Sequence, residues 1–209
     1  MALVKLNNRG VRSATTFGSI SALGEMRFIK KLTSDGSDDD LSFVDGTDDV
    51  VLDDTYKEYL FTFNSIHAET QHVHFTFNMS IDSGSNYNVT KTTTYCHAAA
   101  NEGDSATEVA YQGGSDIAQS TDFHRLNNFL NIENDSSCSG YLHLFNPSST
   151  TFVKHFISSL NSMSYTSDPY SINAFTSGYG NTTSAVDAVQ FKMSSDEIQG
   201  GDICLYGIN

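Results

Sequence analysis

Strict alternation of apolar and polar residues is the feature that most limits how this chain can fold. The clearest run is HVHFTFNMSI (72–81). Apolar side chains fill every second position of it: Val73, Phe75, Phe77, Met79 and Ile81. A period of two places these side chains on one face of a β-strand. The run therefore predicts a strand with one face in a hydrophobic core.

A second alternating run lies just before the first. In YKEYLFTFNSI (56–66), Tyr59, Phe61 and Phe63 share one face. Only HAETQ (67–71) separates the two runs. Because a short polar connection between two half-apolar strands is typical of a hairpin, we expect the runs to pair as an antiparallel hairpin with one buried face.

Further strand-like runs continue to the end of the chain. They are NVTKTTTYC (88–96), SGYLHLF (139–145), TTFVKHFISS (150–159), AVQFKMS (188–194) and GDICLYGI (201–208). The segment 101–137 is irregular and is expected to hold turns with a short helix or a loop. Strands separated by turns, without repeated helices, predict an all-β fold: a single antiparallel β-sandwich or jelly-roll-like domain over residues 25–209. Its predicted core is Phe61, Phe63, Val73, Phe75, Phe77, Met79, Val189, Phe191 and Leu205.

The first 24 residues lack any sustained period and are predicted to form an extended N-terminal arm. This segment carries three bases, Lys5, Arg9 and Arg12, and no acid. A segment with little apolar surface does not build its own core, so it is ordered mainly when it is docked on something. We therefore expect Lys5, Arg9 and Arg12 to make an assembly contact, most simply in a homo-oligomer.

Charge is distributed unevenly along the chain. Residues 1–34 hold six bases and one acid, a net charge of +5, so the remaining residues carry −19 of the total of −14. An acidic body repels nucleic acid and anionic membranes, which argues against a nucleic-acid partner. No stretch approaches 18 apolar residues and the N-terminal sequence has no secretory h-region. Neither membrane insertion nor secretion is expected.

The densest acidic run is GSDDDLSFVDGTDDVVLDD (36–54), which holds eight aspartates. An EF-hand loop needs a glycine at its sixth position, and Phe43 occupies that position when counting starts at Asp38. Runs of like charge are usually solvated, so the run is predicted to be an exposed loop. A calcium site completed by distant residues is the alternative.

Histidines and cysteines offer weak metal signals. His72 and His74 have the spacing that puts two rings on one strand face, with His67 across the presumed turn, but such pairs are more often simply exposed. His97, His143 and His155 are expected to be core or edge residues. The three cysteines, Cys96, Cys138 and Cys204, lie far apart and are expected to be reduced, buried thiols. We predict no metal site and no cofactor.

No catalytic motif occurs in the sequence. The chain has no G-x-S-x-G elbow, and a pair of glycosidase carboxylates is not recognisable without a structure. Recognition is the stronger hypothesis, because SYTSDPYSINAFTSGYGN (164–181) concentrates tyrosines in a turn-rich stretch. The residues expected to contact a glycan or protein partner are Tyr165, Tyr170, Tyr179 and Asn181.

Several segments together resemble one protein family. They include LNNRGVRSATTFGSISALGEMRFIKK, DDTYKEYLFTFNSIHAET, SGSNYNVTKTTTY, AQSTDF, LFNPSSTTFVKHFIS and the tail GYGNTTSAVDAVQFKMSSDEIQGGDICLYGI. The chain is similar over nearly its whole length to proteins encoded by marine tailed bacteriophages, including those of cyanobacteria and Pelagibacter. The resemblance implies a virion structural protein and supplies no catalytic residue.

The combined expectation is a non-enzymatic virion surface protein, made in the host cytoplasm and incorporated into the particle. It would form part of a tail-fibre or receptor-binding appendage, or decorate the capsid. Its partners would be other virion proteins and, in the first case, a host-surface glycan or protein. The alternative is a glycan-binding protein or a glycan-trimming enzyme acting on the host surface.

Overall fold

The structure, a computed structural model, describes residues 26–164 and 168–209. Twelve strands are present in this part of the chain: β1 Met26–Thr33, β2 Leu41–Val44, β3 Glu58–Ala68, β4 Phe75–Ser80, β5 Lys91–Asn101, β6 Thr107–Tyr111, β7 His124–Arg125, β8 Cys138–Phe145, β9 Lys154–Ser164, β10 Tyr170–Gly180, β11 Ala188–Met193 and β12 Ile198–Ile208. None of the described residues lies in a helix, and so none of them forms a helix that could span a membrane.

The strands form two antiparallel sheets packed as a sandwich. The large sheet has eight strands in the order β1-β12-β3-β8-β9-β10-β5-β6, and the small sheet has four in the order β2-β11-β4-β7. This confirms the predicted all-β sandwich. The first described strand, β1, pairs with β12 along its length, with Met26 opposite Ile208 and Thr33 opposite Asp202.

The predicted hairpin between residues 56–66 and 72–81 is wrong. β3 pairs with β12 and β8 in the large sheet, whereas β4 pairs with β11 and β7 in the small sheet. The rings of Phe63 and Phe75 meet across the core at 5.1 Å. Alternation predicts which face of each strand is buried. It does not predict which strands pair, because two apolar faces pack against each other equally well from opposite sheets. The connection after Ala68 therefore crosses between the sheets.

The core is centred on Phe191 of β11. Its ring lies 5.2 Å from Phe61, 5.1 Å from Phe63 and 5.8 Å from Phe75. All nine predicted core residues are buried. Ile81, on the predicted apolar face, is instead 42% exposed because β4 ends at Ser80 and the chain turns away there.

The polar face of β4 is also buried. Asn78 donates from Nδ2 to the carbonyls of Tyr87 (2.7 Å) and Thr121 (2.9 Å), and its Oδ1 accepts from the ammonium of Lys91. Loops thus cover the side of β4 that was expected to face solvent. A buried amide is tolerated here because its hydrogen bonds are made.

The acidic run is only partly a loop. Leu41–Val44 forms β2, which pairs with β11 and places Phe43 in the core. The aspartates lie in the flanking turns, where Asp48 and Asp49 adopt positive φ and Asp45 Oδ1 accepts from the backbone NH of Leu52 at 2.8 Å. The apolar residues between the aspartates fold into the sandwich and hold the carboxylates at its surface.

Candidate functional site

The outer face of the large sheet is the candidate functional surface. In β5, β8, β9 and β10, alternate residues such as Tyr95, Leu142, Phe156 and Ile172 are buried. The intervening residues point outward. They are Thr92, Thr94, Cys96, Ala98 and Ala100; Ser139, Tyr141, His143 and Phe145; His155, Ile157, Ser159, Asn161 and Met163; and Ser171, Asn173, Phe175, Ser177 and Tyr179.

We call these outward positions the uncharged face, because none of them is Asp, Glu, Lys or Arg. The chain as a whole has a net charge of −14. The sequence carries a second signal for this surface, besides the alternation of apolar and polar residues. Between Asp135 and Asp187, Lys154 and Asp168 are the only Asp, Glu, Lys or Arg residues. Strands β8, β9 and β10 are built from this segment, so a charge-poor stretch becomes a charge-free sheet face.

Three large side chains stand out from the uncharged face. Tyr141 on β8, Ile157 on β9 and Phe175 on β10 are 41%, 49% and 45% exposed. Tyr141 and Phe175 are separated by a small residue, because Ser159 lies opposite both of them. In this row the face therefore presents two large side chains with a small one between them.

Cys96 continues the same row across the sheet. It lies opposite Phe175 on one side and Tyr111 of β6 on the other. Cys96 is exposed, which corrects the expectation that all three thiols are buried. Cys138 and Cys204 are buried, and burial raises the pKa of the Cys138 thiol to about 12. On β5 the odd-numbered positions, which include buried Tyr95, face inward. Cys96 has an even number and therefore faces outward.

A shallow depression lies at one end of the uncharged face. It is lined by Ala98, Ala99, Ala100, Thr107, Glu108, Val109, Ser171 and Asn173. Beside it, Asn161 Nδ2 donates to Ser171 Oγ at 3.0 Å, and Ser159 Oγ donates to Asn173 Oδ1 at 3.4 Å. Small alanines on β5 leave the space, and amides and hydroxyls from β9 and β10 supply polar groups at its rim.

The tyrosines predicted to share a contact do not come together. Most of the stretch 164–181 is strand β10 and not a loop. Tyr170 and Tyr179 lie near its two ends, about 30 Å apart at the usual rise per residue. They also face opposite ways, since Tyr170 has the parity of buried Ile172 and Tyr179 that of exposed Phe175. Ser and Gly suggested turns here, but the alternation of apolar residues among them decides the structure.

The other predicted contact residues do not form a common group among the described residues. Asn181 holds a loop in place: its backbone NH donates to Thr90 O (2.7 Å) and its Nδ2 to Gln119 Oε1 (2.9 Å). Tyr165 and the arm residues Lys5, Arg9 and Arg12 lie outside the described residues. Tyr179 is the one predicted contact residue that the structure places on the uncharged face, where its ring lies 6.1 Å from that of His155.

His72 and His74 do not form the strand-face pair that their spacing suggested. They precede β4, with His72 at positive φ, and their rings lie 5.6 and 4.6 Å from Phe129. Burial lowers the pKa of His74 to about 4. His67 Nδ1 is hydrogen-bonded to Ser136 O at 2.7 Å. Within residues 26–164 and 168–209, no three His, Cys, Asp or Glu side chains are grouped so as to hold a metal ion.

Comparisons of the chain with protein-family models, with curated proteins and with solved structures found no match. The resemblance to marine phage proteins therefore stays a prediction. The geometry and chemistry of the uncharged face are what indicate a function for the chain.

Proposed function

We propose that this chain is a non-enzymatic structural protein of a tailed-phage virion, and that the uncharged face is a surface through which it joins its protein neighbours. The observation that carries the proposal is the combination of a charge-free, four-strand sheet face with an acidic chain. Protein interfaces are depleted of charge at their centre and enriched in aromatic residues, as this face is at Tyr141 and Phe175.

Electrostatics favours this face over the rest of the surface for assembly. Burying a charged side chain costs free energy unless it gains a partner, whereas Ser, Thr, Asn and apolar side chains are desolvated at much lower cost. At the border with β3, the carboxylate of Glu58 already has a neighbour, because its Oε2 lies 2.9 Å from His143 Nε2. The uncharged face can thus be buried in a contact without leaving a charged side chain unpaired.

The N-terminal residues supply a second contact in this proposal. Lys5, Arg9 and Arg12 precede β1, which is an edge strand of the large sheet among the strands that the structure describes. A basic segment complements the acidic body of a neighbouring copy, where charge attraction speeds and orients association. A decoration protein or an appendage subunit would use both contacts, the arm for attachment and the face for a broad, flat junction.

Locating the protein on intact particles tests the proposal. Purified virions of the phage that encodes the chain would be treated with antibodies raised against residues 26–209 and viewed by immunogold electron microscopy. Gold on the capsid surface indicates decoration, and gold on the tail or its fibres indicates an appendage. Absence of the chain from purified virions, together with its presence in the lysate of infected cells, would refute a structural role.

A glycan-binding role is the second candidate, and the depression at Ser171 and Asn173 favours it. Hydroxyls and amides beside exposed aromatic rings are the groups that recognise neutral sugars. Trimming of glycans is less well supported, because retaining and inverting glycosidases need two carboxylates and the lining of the depression includes one, Glu108. Titration with host surface polysaccharide, comparing the wild type with Asn173→Ala, tests binding. Unchanged binding in the variant would exclude the depression as the sugar site.

A further inference from the structure

We propose that the occupant of the uncharged face is the same face of a second copy, so that two large sheets stack about a two-fold axis. This inference rests on the proposed function, because it names the partner of the face that the proposal assigns to assembly. Three observations carry it: the distribution of charge, the alternation of large and small side chains, and the area of the face.

Charge restricts where two copies can meet. Each chain has a net charge of −14, so most orientations of approach bring acidic surfaces together. The outward positions of β5, β8, β9 and β10 have no charged residue. Stacking these faces therefore buries no like-charged pair. Pairing through the β1 edge would instead bring two copies of Lys30 and Lys31 together, and lysines on an edge strand oppose edge-to-edge association.

Shape favours a self-complementary contact. Tyr141 and Phe175 are separated by Ser159, and Ile157 lies between His143 and Ser177. In the row Tyr141–Ser159–Phe175–Cys96, large side chains thus alternate with small ones across the strands. When such a face meets its own copy, the large side chains of one sheet can enter the space over the small ones of the other, as in the cores of sandwiches. A contact of this kind is isologous, which is the commonest arrangement for dimers.

The area is sufficient for a stable dimer. Four strands at about 4.8 Å spacing and up to about 36 Å length cover about 650 Å² per copy, or about 1,300 Å² for two. Specific interfaces bury more than about 1,000 Å² in total. The adjoining strand β6 extends the apolar surface with Val109 and Tyr111, which are both exposed.

A charge placed in the middle of the face tests the proposal. Full-length wild-type chain, Ile157→Asp and the matched control Ile81→Asp would be compared by analytical ultracentrifugation over a range of concentrations. Both isoleucines are similarly exposed, at 49% and 42%, but Ile81 directly follows β4 of the small sheet and lies outside the uncharged face. We expect a dimer for wild type and Ile81→Asp, and a dissociation constant raised by about tenfold or more for Ile157→Asp.

The exposed thiol gives an independent readout. Cys138 and Cys204 are buried, so maleimide labelling of the native protein reports on Cys96. Labelling is expected to slow as the wild-type concentration rises through the dimer transition, and to stay fast for Ile157→Asp. Thermal melts would establish that each variant is folded, and Phe175→Asp replaces Ile157→Asp if the latter is not.

Three results would overturn the proposal. They are a monomeric wild-type chain throughout the range, unchanged dimerisation of both face variants, or a dimer in which Cys96 is labelled as fast as in the monomer. Mixing Ile157→Asp with Ile157→Lys gives a further check, since opposite charges restore association only if the faces meet each other. A monomeric chain found on virions would refute the dimer alone, and a dimer absent from virions would refute the virion role alone.

Discussion

Lys91 and Lys154 lie directly opposite each other across Gly180, one on each neighbouring strand. Gly180 of β10 is in register with Lys91 of β5 and with Lys154 of β9, and both lysines are fully buried. A Cβ on Gly180 would lie 2.7 Å from Met79 Cε and 3.0 Å from Val89 Cγ1. The missing side chain therefore lets the small sheet pack closely between two lysine-bearing strands.

The two ammonium groups end in different surroundings. Lys154 Nζ donates to three carbonyl oxygens, those of Ser149 (2.7 Å), Phe152 (2.7 Å) and Thr182 (3.2 Å). Lys91 Nζ donates to Val89 O at 2.8 Å and to Asn78 Oδ1. Burial lowers the pKa of Lys91 to about 7, although Asp122 acts in the opposite direction, and burial also lowers the pKa of Lys154.

Stability is expected to rise with pH between about 7 and 9. In this window Lys91 is largely neutral in the folded chain but still protonated in the unfolded chain, whose lysine pKa is near 10.5. The unfolded state then binds more protons, so the free energy of unfolding increases with pH, by about 2 kcal/mol over the two units. Urea denaturation at pH 7 and 9 measures this, and Lys91→Met should reduce the increase. An equal increase in the variant would assign it to other groups.

Removing the ring of Phe75 should destabilise the sandwich. Phe75 is fully buried and its ring lies 5.1 Å from Phe63 and 5.8 Å from Phe191, so Phe75→Ala leaves a cavity between the sheets. We expect a loss of about 3 to 5 kcal/mol in the free energy of unfolding, measured by chemical denaturation. Phe152→Ala is the control, because Phe152 is 68% exposed and should change stability by less than about 0.5 kcal/mol. Similar losses for the two variants would mean that the core is assigned incorrectly.

Two glycines should differ in their tolerance of a methyl group. In Gly140→Ala the new Cβ would overlap the backbone oxygen of Ser159, whereas in Gly180→Ala it meets the flexible end of Met79. The backbone moves aside less easily than a side chain, so Gly140→Ala should lower the melting temperature more than Gly180→Ala does. For Gly180→Ala we expect a loss of about 1 to 3 kcal/mol in the free energy of unfolding. Gly114→Ala is the control, since no atom beyond its two chain neighbours lies within 4 Å of its added Cβ. The reverse order would show that β8 and β9 are farther apart than described.

Calcium at micromolar concentration should leave the melting temperature unchanged. Carboxylates of the acidic run already accept local hydrogen bonds, Asp53 Oδ1 from Thr55 NH (2.8 Å) and Asp38 Oδ2 from Asp35 NH (2.9 Å). A ligand present at 100 times its dissociation constant would stabilise the fold by about 2.7 kcal/mol. Melts with calcium, with magnesium and with chelator measure this. A rise specific to calcium and reversed by chelator would show that the run completes an ion site.

Deleting residues 1–24 should leave the sandwich folded but prevent incorporation into particles. The deletion keeps β1, which begins at Met26 and pairs with β12, so circular dichroism and the melting temperature should be retained. Substituting Lys5, Arg9 and Arg12 together with Gln gives a milder variant that tests charge alone. Normal incorporation of the truncated chain would remove the arm from the proposal, and loss of folding would make these residues part of the domain.

The sequence patterns predict well which face of a strand is buried, and predict poorly which strands pair. Alternation identified Phe61, Phe75 and Phe191 as buried, because burial follows from the period within a single strand. Pairing is set by the whole fold, so β3 and β4 were placed in one hairpin when they belong to different sheets. Loops that fold over β4 bury Asn78, and no local pattern announces such coverage.

The candidate site was missed for a related reason. The tyrosines and glycines of 164–181 favour a loop, and the alternation of apolar and polar residues is weaker there than in 72–81. An uncharged surface appears only when outward positions of β5, β8, β9 and β10 are brought side by side, and β5 is distant in sequence from the other three. The burial of Lys91 was equally unpredictable from the sequence, because a lysine in a threonine-rich run ordinarily indicates an exposed position.

The place of β12 in the large sheet determines when the fold can be completed. This strand lies between β1 and β3, yet it is the last of the twelve along the chain. During synthesis β1 has no partner among the described strands, and one edge of β3 stays open, until the residues of β12 have left the ribosome. Closure of this side of the sandwich consequently comes after the other described strands have been made and has a long loop to close, and the open edge of β3 is the point at which an incomplete chain is most exposed to aggregation.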